Sequence, residues 1–300
     1  MLSILRQYCL STVKSLAYNF HNYLVVINLG INAVSDEQVR KQNLLPFADR
    51  INQVSTVEPW RWLAAGWADL RQTRTISITY GLIFVVLGYA VTIGLYQFEQ
   101  YHLIWPFAAG FILIAPVFSV GIYELSRRLM NGEPVTFMNA LMAWKRAPGL
   151  IFGSGLAMTF FLIIWIRTAA LIYVINFPYE MLTIQGLINQ TFFSMNGLIF
   201  MSVGTLIGAF FAVTAFLLSA VSLPLMIGEK SDFLPALLIS IFVVTRNPRT
   251  MMLWAIIIVV VTAFGMATAL IGLAVTLPLI GHATWHAYKA LVKPLSEAPE

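Results

Sequence analysis

The chain has 300 residues, of which 59% are hydrophobic and 10% charged, against about a quarter charged in soluble domains. That balance excludes a soluble globular enzyme, and a mean hydropathy of +0.80 with apolar runs beyond the ~20 residues that cross ~30 Å of hydrocarbon describes a polytopic helical membrane protein. The runs lack the two-residue alternation of a membrane β-barrel, and the single cysteine, Cys9, excludes an intrachain disulfide or a multi-cysteine metal site.

Residues 1–57 read as a cytoplasmic leader and linker, partly disordered. The first 32 carry an apolar patch interrupted by Asn19, His21, Asn22 and Asn28, with no small-residue cleavage site behind it. Residues 33–57 are polar enough for a linker. The membrane domain then spans 58–293, with a short tail over 294–300.

Crossings are expected at 76–97, 102–125, 149–175 and 197–226, followed by an apolar block over 250–288. Its 39 residues extend about 58 Å as helix, too long for one straight crossing and just enough for two. Charge placement decides between five and six. With the amino terminus inside, Arg61, Arg71, Arg74, Arg127, Arg128, Lys145, Arg146, Lys230, Arg246, Arg249, Lys289 and Lys293 all fall on the cytoplasmic side. The outer loops, 98–101, 176–196 and 265–268, carry only Glu99 and Glu180. Five crossings would strand Lys289 and Lys293 outside. The expectation is an all-α transmembrane bundle of six helices arranged as three hairpins, both termini cytoplasmic.

Each hairpin is preceded by a short amphipathic segment suited to the interface. In "EPWRWLAAGWADLRQTR", Trp60, Leu63, Trp67 and Leu70 share a face, and Pro59 suits a first helical turn. In "TFMNALMAWKRAPG" the face is Phe137, Leu141 and Trp144. In "SDFLPALLISIFVVTRNPRT" it is Phe233, Leu237, Ile241 and Val244. Tryptophan beside arginine is what a helix at headgroup depth requires. The second helix of each hairpin carries a proline and then a glycine near its inner end: Pro116 and Gly121, Pro224 and Gly228, Pro278 and Gly281. Proline frees a carbonyl one turn earlier, so kinks are expected at Pro116, Pro224 and Pro278.

The stretches "EPWRWLAAGWADL", "AAGFILIAPVFSVGIYELSRRLMNGEP", "VSLPLMIGEK", "NPRTMMLWAIIIVVV" and "LPLIGHATWHAYKALV" occur in that order over residues 58–293. Together they resemble an uncharacterised proteobacterial integral membrane family catalogued as a domain of unknown function. The resemblance implies a multi-pass protein of the bacterial inner membrane and no particular activity. Some members carry the label cytochrome c oxidase subunit I-like. A haem-copper oxidase subunit resembles a His-rich bundle with roughly six ligating histidines. This chain has four, His21, His102, His282 and His286, so the label fails as a statement about catalysis.

His282 and His286 share one helix face, a spacing that binds zinc, copper or haem iron when other ligands join. Glu124, Glu229 or Asp232 at the other inner helix ends would have to supply them. The alternative is a pair of interface histidines beside Trp285 and Tyr288, with no cofactor. Arg167 is the one basic residue inside a crossing. It either snorkels outward beside Tyr173 and Asn176 toward Glu180, or makes an intramembrane contact with an anion. Glu124, four residues before Arg128, suits a helix-surface ion pair. Gly149 with Gly153, and Gly204 with Gly208 and Ala212, suit close helix approach.

No phosphate loop and no catalytic Ser/His/Asp arrangement is present, so no catalytic residue is assigned. Basic residues hug the bilayer, which points to lipid headgroups rather than nucleic acid. The partners expected are the bilayer itself and either another membrane protein or a second copy. A non-enzymatic scaffold or assembly component is the leading reading. A small-solute or lipid transporter, suggested by repeated kinked helices, and a haem- or metal-binding respiratory accessory protein are the alternatives.

Overall fold

The computed structural model describes residues 47–177, 189, 191–229 and 231–294. His21, Glu180 and Lys230, and with them most of the leader, lie outside the described residues. The chain divides into Met1–Asp49 and Arg50–Glu300, and the second unit is the membrane body.

Its helices are α1 (Glu58–Gln72), α2 (Arg74–Gln97), α3 (Ile104–Phe118), α4 (Val120–Met130), α5 (Phe137–Leu141), α6 (Pro148–Asn176), α7 (Met195–Ser219), α8 (Ser222–Glu229), α9 (Phe233–Arg246), α10 (Pro248–Ala267) and α11 (Leu273–Leu291). Proline opens the first turn of α1, α6 and α10, where its missing N–H costs nothing. Thr136 and Asn139 close a capping box on α5. No strand occurs among the described residues. A single antiparallel bridge joins Ile51 to Val292.

Five stretches are long and apolar enough to cross a bilayer: 74–97, 101–130, 148–176, 195–229 and 248–267. This is one fewer than the sequence reading. The second half of the 250–288 block does form a helix, α11, but His282, His286 and Lys289 dilute its apolar character. The expected interfacial helices also differ among themselves. The segment before α6 is five residues of α-helix followed by a 3-10 turn at Ala143–Arg146. The segment before α10, helix α9, is apolar rather than amphipathic.

Helix α11 is the axis of the body. It runs antiparallel along α1 and α2, and α4 and α10 flank it. Gly66 and Gly81 make that approach possible: a Cβ on Gly66 would lie 2.6 Å from the Ala283 amide nitrogen, and one on Gly81 would strike the Ala274 carbonyl. The sequence expected close approach at Gly149, Gly153 and Gly204 instead, yet nothing lies within 4 Å of a Cβ there. Gly208 does receive a neighbour, the Trp165 ring.

One apolar cluster joins Tyr80, Phe84, Ile122, Leu125, Ala140 and Leu277 around α2, α4 and α11. A second, Leu113, Trp165, Ala169, Phe211 and Ala215, joins α3, α6 and α7. Two of the long apolar stretches are interrupted. α3 gives way to α4 at Ser119, three residues after Pro116, and α7 to α8 at Ala220, ahead of Pro224. α11 continues uninterrupted past Pro278.

Residues 50–54, grouped by sequence with the linker, are built into the membrane body. The Asn52 amide donates to Leu291 and the Lys293 amide to Arg50, at 2.9 and 2.8 Å. Asn247 clamps the same segment, accepting from the Val54 amide at 2.9 Å and donating to the Asn52 carbonyl at 3.0 Å.

Candidate functional site

Three groups of polar residues converge at the end of the body that holds the basic rim. The first combines α1, α2, α4 and α11. Asp69, Thr73 and Ser77 follow one another at four-residue intervals, so they share a face. His282 and His286 do the same on the facing helix. Asp69 Oδ2 accepts from His286 Nε2 at 2.9 Å and from Ser126 Oγ at 2.6 Å. Ser126 Oγ also lies 2.6 Å from His282 Nδ1, and Ser77 Oγ lies 2.9 Å from His282 Nε2. Thr73 closes the circuit, 2.7 Å from Ser77 and donating to the Asp69 carbonyl at 2.8 Å.

The proton positions follow from donor counting. Burial acts to raise the Asp69 carboxyl, but the hydrogen bonds from His286 and Ser126, and the pull of both imidazoles, hold it below the usual carboxylate value. An ionised carboxylate only accepts, so the Ser126 proton belongs to Asp69. Ser126 must then accept from His282 Nδ1–H, while Ser77 and Thr73 face His282 Nε2 at 2.9 and 3.4 Å. This places a proton on His282 Nδ1. Its side chain is 0% exposed, and both ring nitrogens are engaged.

That saturation bears on the metal reading. A metal ligand needs a free nitrogen lone pair, and on His282 Ser126 lies against Nδ1 while Ser77 and Thr73 lie against Nε2. Among the described residues no group of three or more His, Cys, Asp or Glu has the geometry to hold a metal ion. Nor do the supporting ligands named from sequence reach the pair: Glu124 and Glu229 are engaged elsewhere, and the acid facing the histidines is Asp69. The headgroup-anchor reading of His282 also gives way, because the residue is buried inside the helix packing.

The second group surrounds Glu124, which is 2% exposed rather than sitting on a helix surface. Arg127 reaches it at 2.8 and 3.0 Å, Arg128 at 2.7 Å and Arg146 at 3.4 Å. Arg127 extends onward to Glu133, with contacts of 2.5 and 2.6 Å. Hydrogen bonds from Arg127 and then Asn131 hold the Glu133 carboxyl down at about 2. Arg146 also donates to the Ile227 carbonyl at 3.2 Å, tying the segment before α6 to α8. The third group is Glu229, which accepts from Arg50 at 2.6 Å and from the Tyr288 hydroxyl at 3.3 Å. Arg167 joins none of these. It is exposed on α6, and the acid expected opposite it, Glu180, lies outside the described residues.

Behind the polar groups is a cavity of about 450 Å³. Its walls come from α3 and α4 (Leu113, Tyr123), α7 (Ala212, Phe216), α10 (Ala255) and α11 (Ile280). Four hydroxyls on the wall, beside those of Tyr123 and Thr262, are turned back onto their own helices: Ser119 bonds Ala115, Ser219 bonds Ala215, Thr245 bonds Ile241 and Thr284 bonds Ile280, all within 3.0 Å. With those donors spent, the lining acts as apolar. Val213, Met252 and Val259 line it while remaining exposed, so the cavity opens sideways between α7 and α10. Helices α4 and α11 therefore carry two faces. Tyr123 and Ile280 look into the cavity, while Ser126 and His282 look into the polar circuit that fixes those walls. Sequence reasoning missed this cavity, since its lining is scattered over six helices.

A family model described as "Predicted integral membrane protein (DUF2189)", of unknown function, matches residues 104–228. The match runs from α3 through α8 and includes Pro116, Glu124, Arg167 and Pro224. No curated protein and no solved structure matches the chain.

Proposed function

We propose that the chain is a non-enzymatic protein of the bacterial inner membrane that holds a lipid acyl chain in the cavity between α3–α4, α7, α10 and α11. The observation that carries the reading is the cavity's chemistry. A space of about 450 Å³ lies within the range of small-molecule sites, and four of its hydroxyls are committed to their own helices, leaving Tyr123 and Thr262 in an otherwise apolar lining. A polar solute would leave its donors and acceptors unpaired there, at a cost of several kcal/mol in an apolar environment. An alkyl chain asks for no partners, and the sideways opening between α7 and α10 faces where lipid tails lie.

The same reading places six membrane helices in three hairpins, α2 with α3–α4, α6 with α7–α8 and α10 with α11. Their cationic rims and both termini face the cytoplasm. The distribution of Lys and Arg supports it, as does the return of α11 toward the end of the body where α10 begins. Within this arrangement the buried ion pairs are structural: they fix cavity walls and contact no substrate.

Native mass spectrometry of the protein extracted in mild detergent tests the proposal. The expected result is one lipid retained per chain, lost in an Ala255→Phe variant that fills the cavity and keeps its melting temperature. Retention of no lipid by the unmodified protein, or equal retention by the filled variant, would overturn it.

A further inference from the structure

The α10–α11 hairpin differs from the α2–α3 hairpin beside it. The α2–α3 turn has the marks of a membrane surface: Tyr96, Gln97, Glu99, Gln100, Tyr101 and His102 lie in and around it. The α10–α11 turn, "FGMATALIGLAV" over residues 264–275, contains no charged residue, no amide and no aromatic belt residue other than Phe264. Its tip is also shallower. Gly88 packs beside Leu270, and the Tyr89 hydroxyl donates to the Ala269 carbonyl at 2.6 Å. Helix α2 then runs on through Gln97, eight residues or about 12 Å beyond the tip.

Apart from the Ala269 amide, the tip's backbone donors are satisfied without water. The amides of Thr268, Leu270, Ile271, Leu273, Ala274, Val275 and Thr276 all bond to carbonyls within the hairpin. Thr268 Oγ1 accepts from the Gly272 amide and donates to the Gly265 carbonyl, both at 2.9 Å. Tyr89 covers the outward-facing Ala269 carbonyl. Ala269 and Leu270 turn the chain at φ of 53° and 66°, positions that water-exposed turns fill with Asn or Gly. Phe264 and Ile271 nevertheless project, 67% and 60% exposed. An apolar turn that satisfies nearly all of its own backbone donors is what hydrocarbon requires of irregular chain.

We infer that the α10–α11 hairpin enters the bilayer from the side of the basic rim and turns inside the hydrocarbon, with acyl chains as the partner of its Phe264–Ile271 surface. α10 is long enough to cross but is set too far toward the rim to reach the opposite surface. This accounts for α11: Leu273–Ile280 is the inserted limb, and from His282 onward the helix packs on α1 around the polar circuit. The topology is independent of what fills the cavity.

Cysteine accessibility in the full-length protein tests it, with Cys9→Ser as the background. Ala269→Cys and Ile271→Cys report on the tip, Gln100→Cys on the outer surface and Arg74→Cys on the inner one. The expected result is that a membrane-impermeant maleimide labels Gln100→Cys in intact spheroplasts and Arg74→Cys in inverted vesicles. Both tip variants stay unlabelled in either preparation and react after detergent solubilisation. A spin label at the tip should also be relaxed by oxygen and not by a polar nickel chelate. Labelling of the tip from either aqueous side, relaxation by nickel, or no reaction in detergent would each overturn the inference.

Discussion

Asp69 and His286, 217 residues apart in the chain, meet at 2.9 Å and join the first helix of the membrane body to the last. The contact is one edge of a closed circuit, so its removal strands Ser126 as well as His286. Asp69→Ala is expected to cost about 1–3 kcal/mol, the penalty of unpaired buried polar groups, read as a lowered midpoint in thermal unfolding in detergent. A protein that melts unchanged would show the circuit to be solvated.

The same pair sets a pH dependence. The folded Asp69 carboxyl lies below its ordinary 3.8. A depressed folded value means the contribution is fully present above the unfolded pKa and disappears as pH falls through the folded one. Stability at neutral pH is therefore unaffected by small pH changes at this group, and an acid-induced loss appears below about pH 4. Asp69→Asn should remove that part of the acid limb. If the variant and the parent lose stability in parallel below pH 4, Asp69 is not the titrating group.

How far these features were legible in sequence depends on whether their cause is local. The helix starts expected at 76, 149 and 250 fall within two residues of Arg74, Pro148 and Pro248, because apolar run length and proline at the first turn are local signals. The partnership of Asp69 with the histidines is not local. A trace of it exists, an acid and two hydroxyls at Asp69, Thr73 and Ser77 along a face otherwise fit for packing, but nothing in that trace names α11 as the partner. Glu124 was half legible for a similar reason. Its pair with Arg128 four residues on forms at 2.7 Å, but its burial and its contact with Arg146, brought in by the turn before α6, are not local. The glycine stripes misled because spacing identifies a smooth face and not whether a neighbour covers it.

That last distinction gives a paired test. Gly66→Val places side-chain atoms against the Ala283 backbone, where a Cβ alone would sit at 2.6 Å, and a backbone neighbour cannot rotate away. Overpacking of this kind costs about 1–3 kcal/mol. Gly149→Ala meets nothing within 4 Å and gains up to about 1 kcal/mol of helix propensity. Thermal unfolding of the two variants should move in opposite directions. Destabilisation by Gly149→Ala would mean that another chain, or a part of this one outside the described residues, packs on that face.

Among the described residues Glu124 is the acid that three guanidiniums contact. Glu124→Gln leaves Arg127 with Glu133 alone and takes from Arg128 and Arg146 their contact at 2.7 and 3.4 Å. Breaking a buried pair from one side costs about 3–5 kcal/mol, since the remaining charges stay desolvated. Arg128→Ala should cost far less, because its side chain is 24% exposed and Glu124 keeps Arg127. The measurement is the yield of folded monomer in detergent with the unfolding midpoint of each variant. Equal loss from Glu124→Gln and Arg128→Ala would mean that the carboxylate serves only Arg128, as an ordinary pair one helical turn apart.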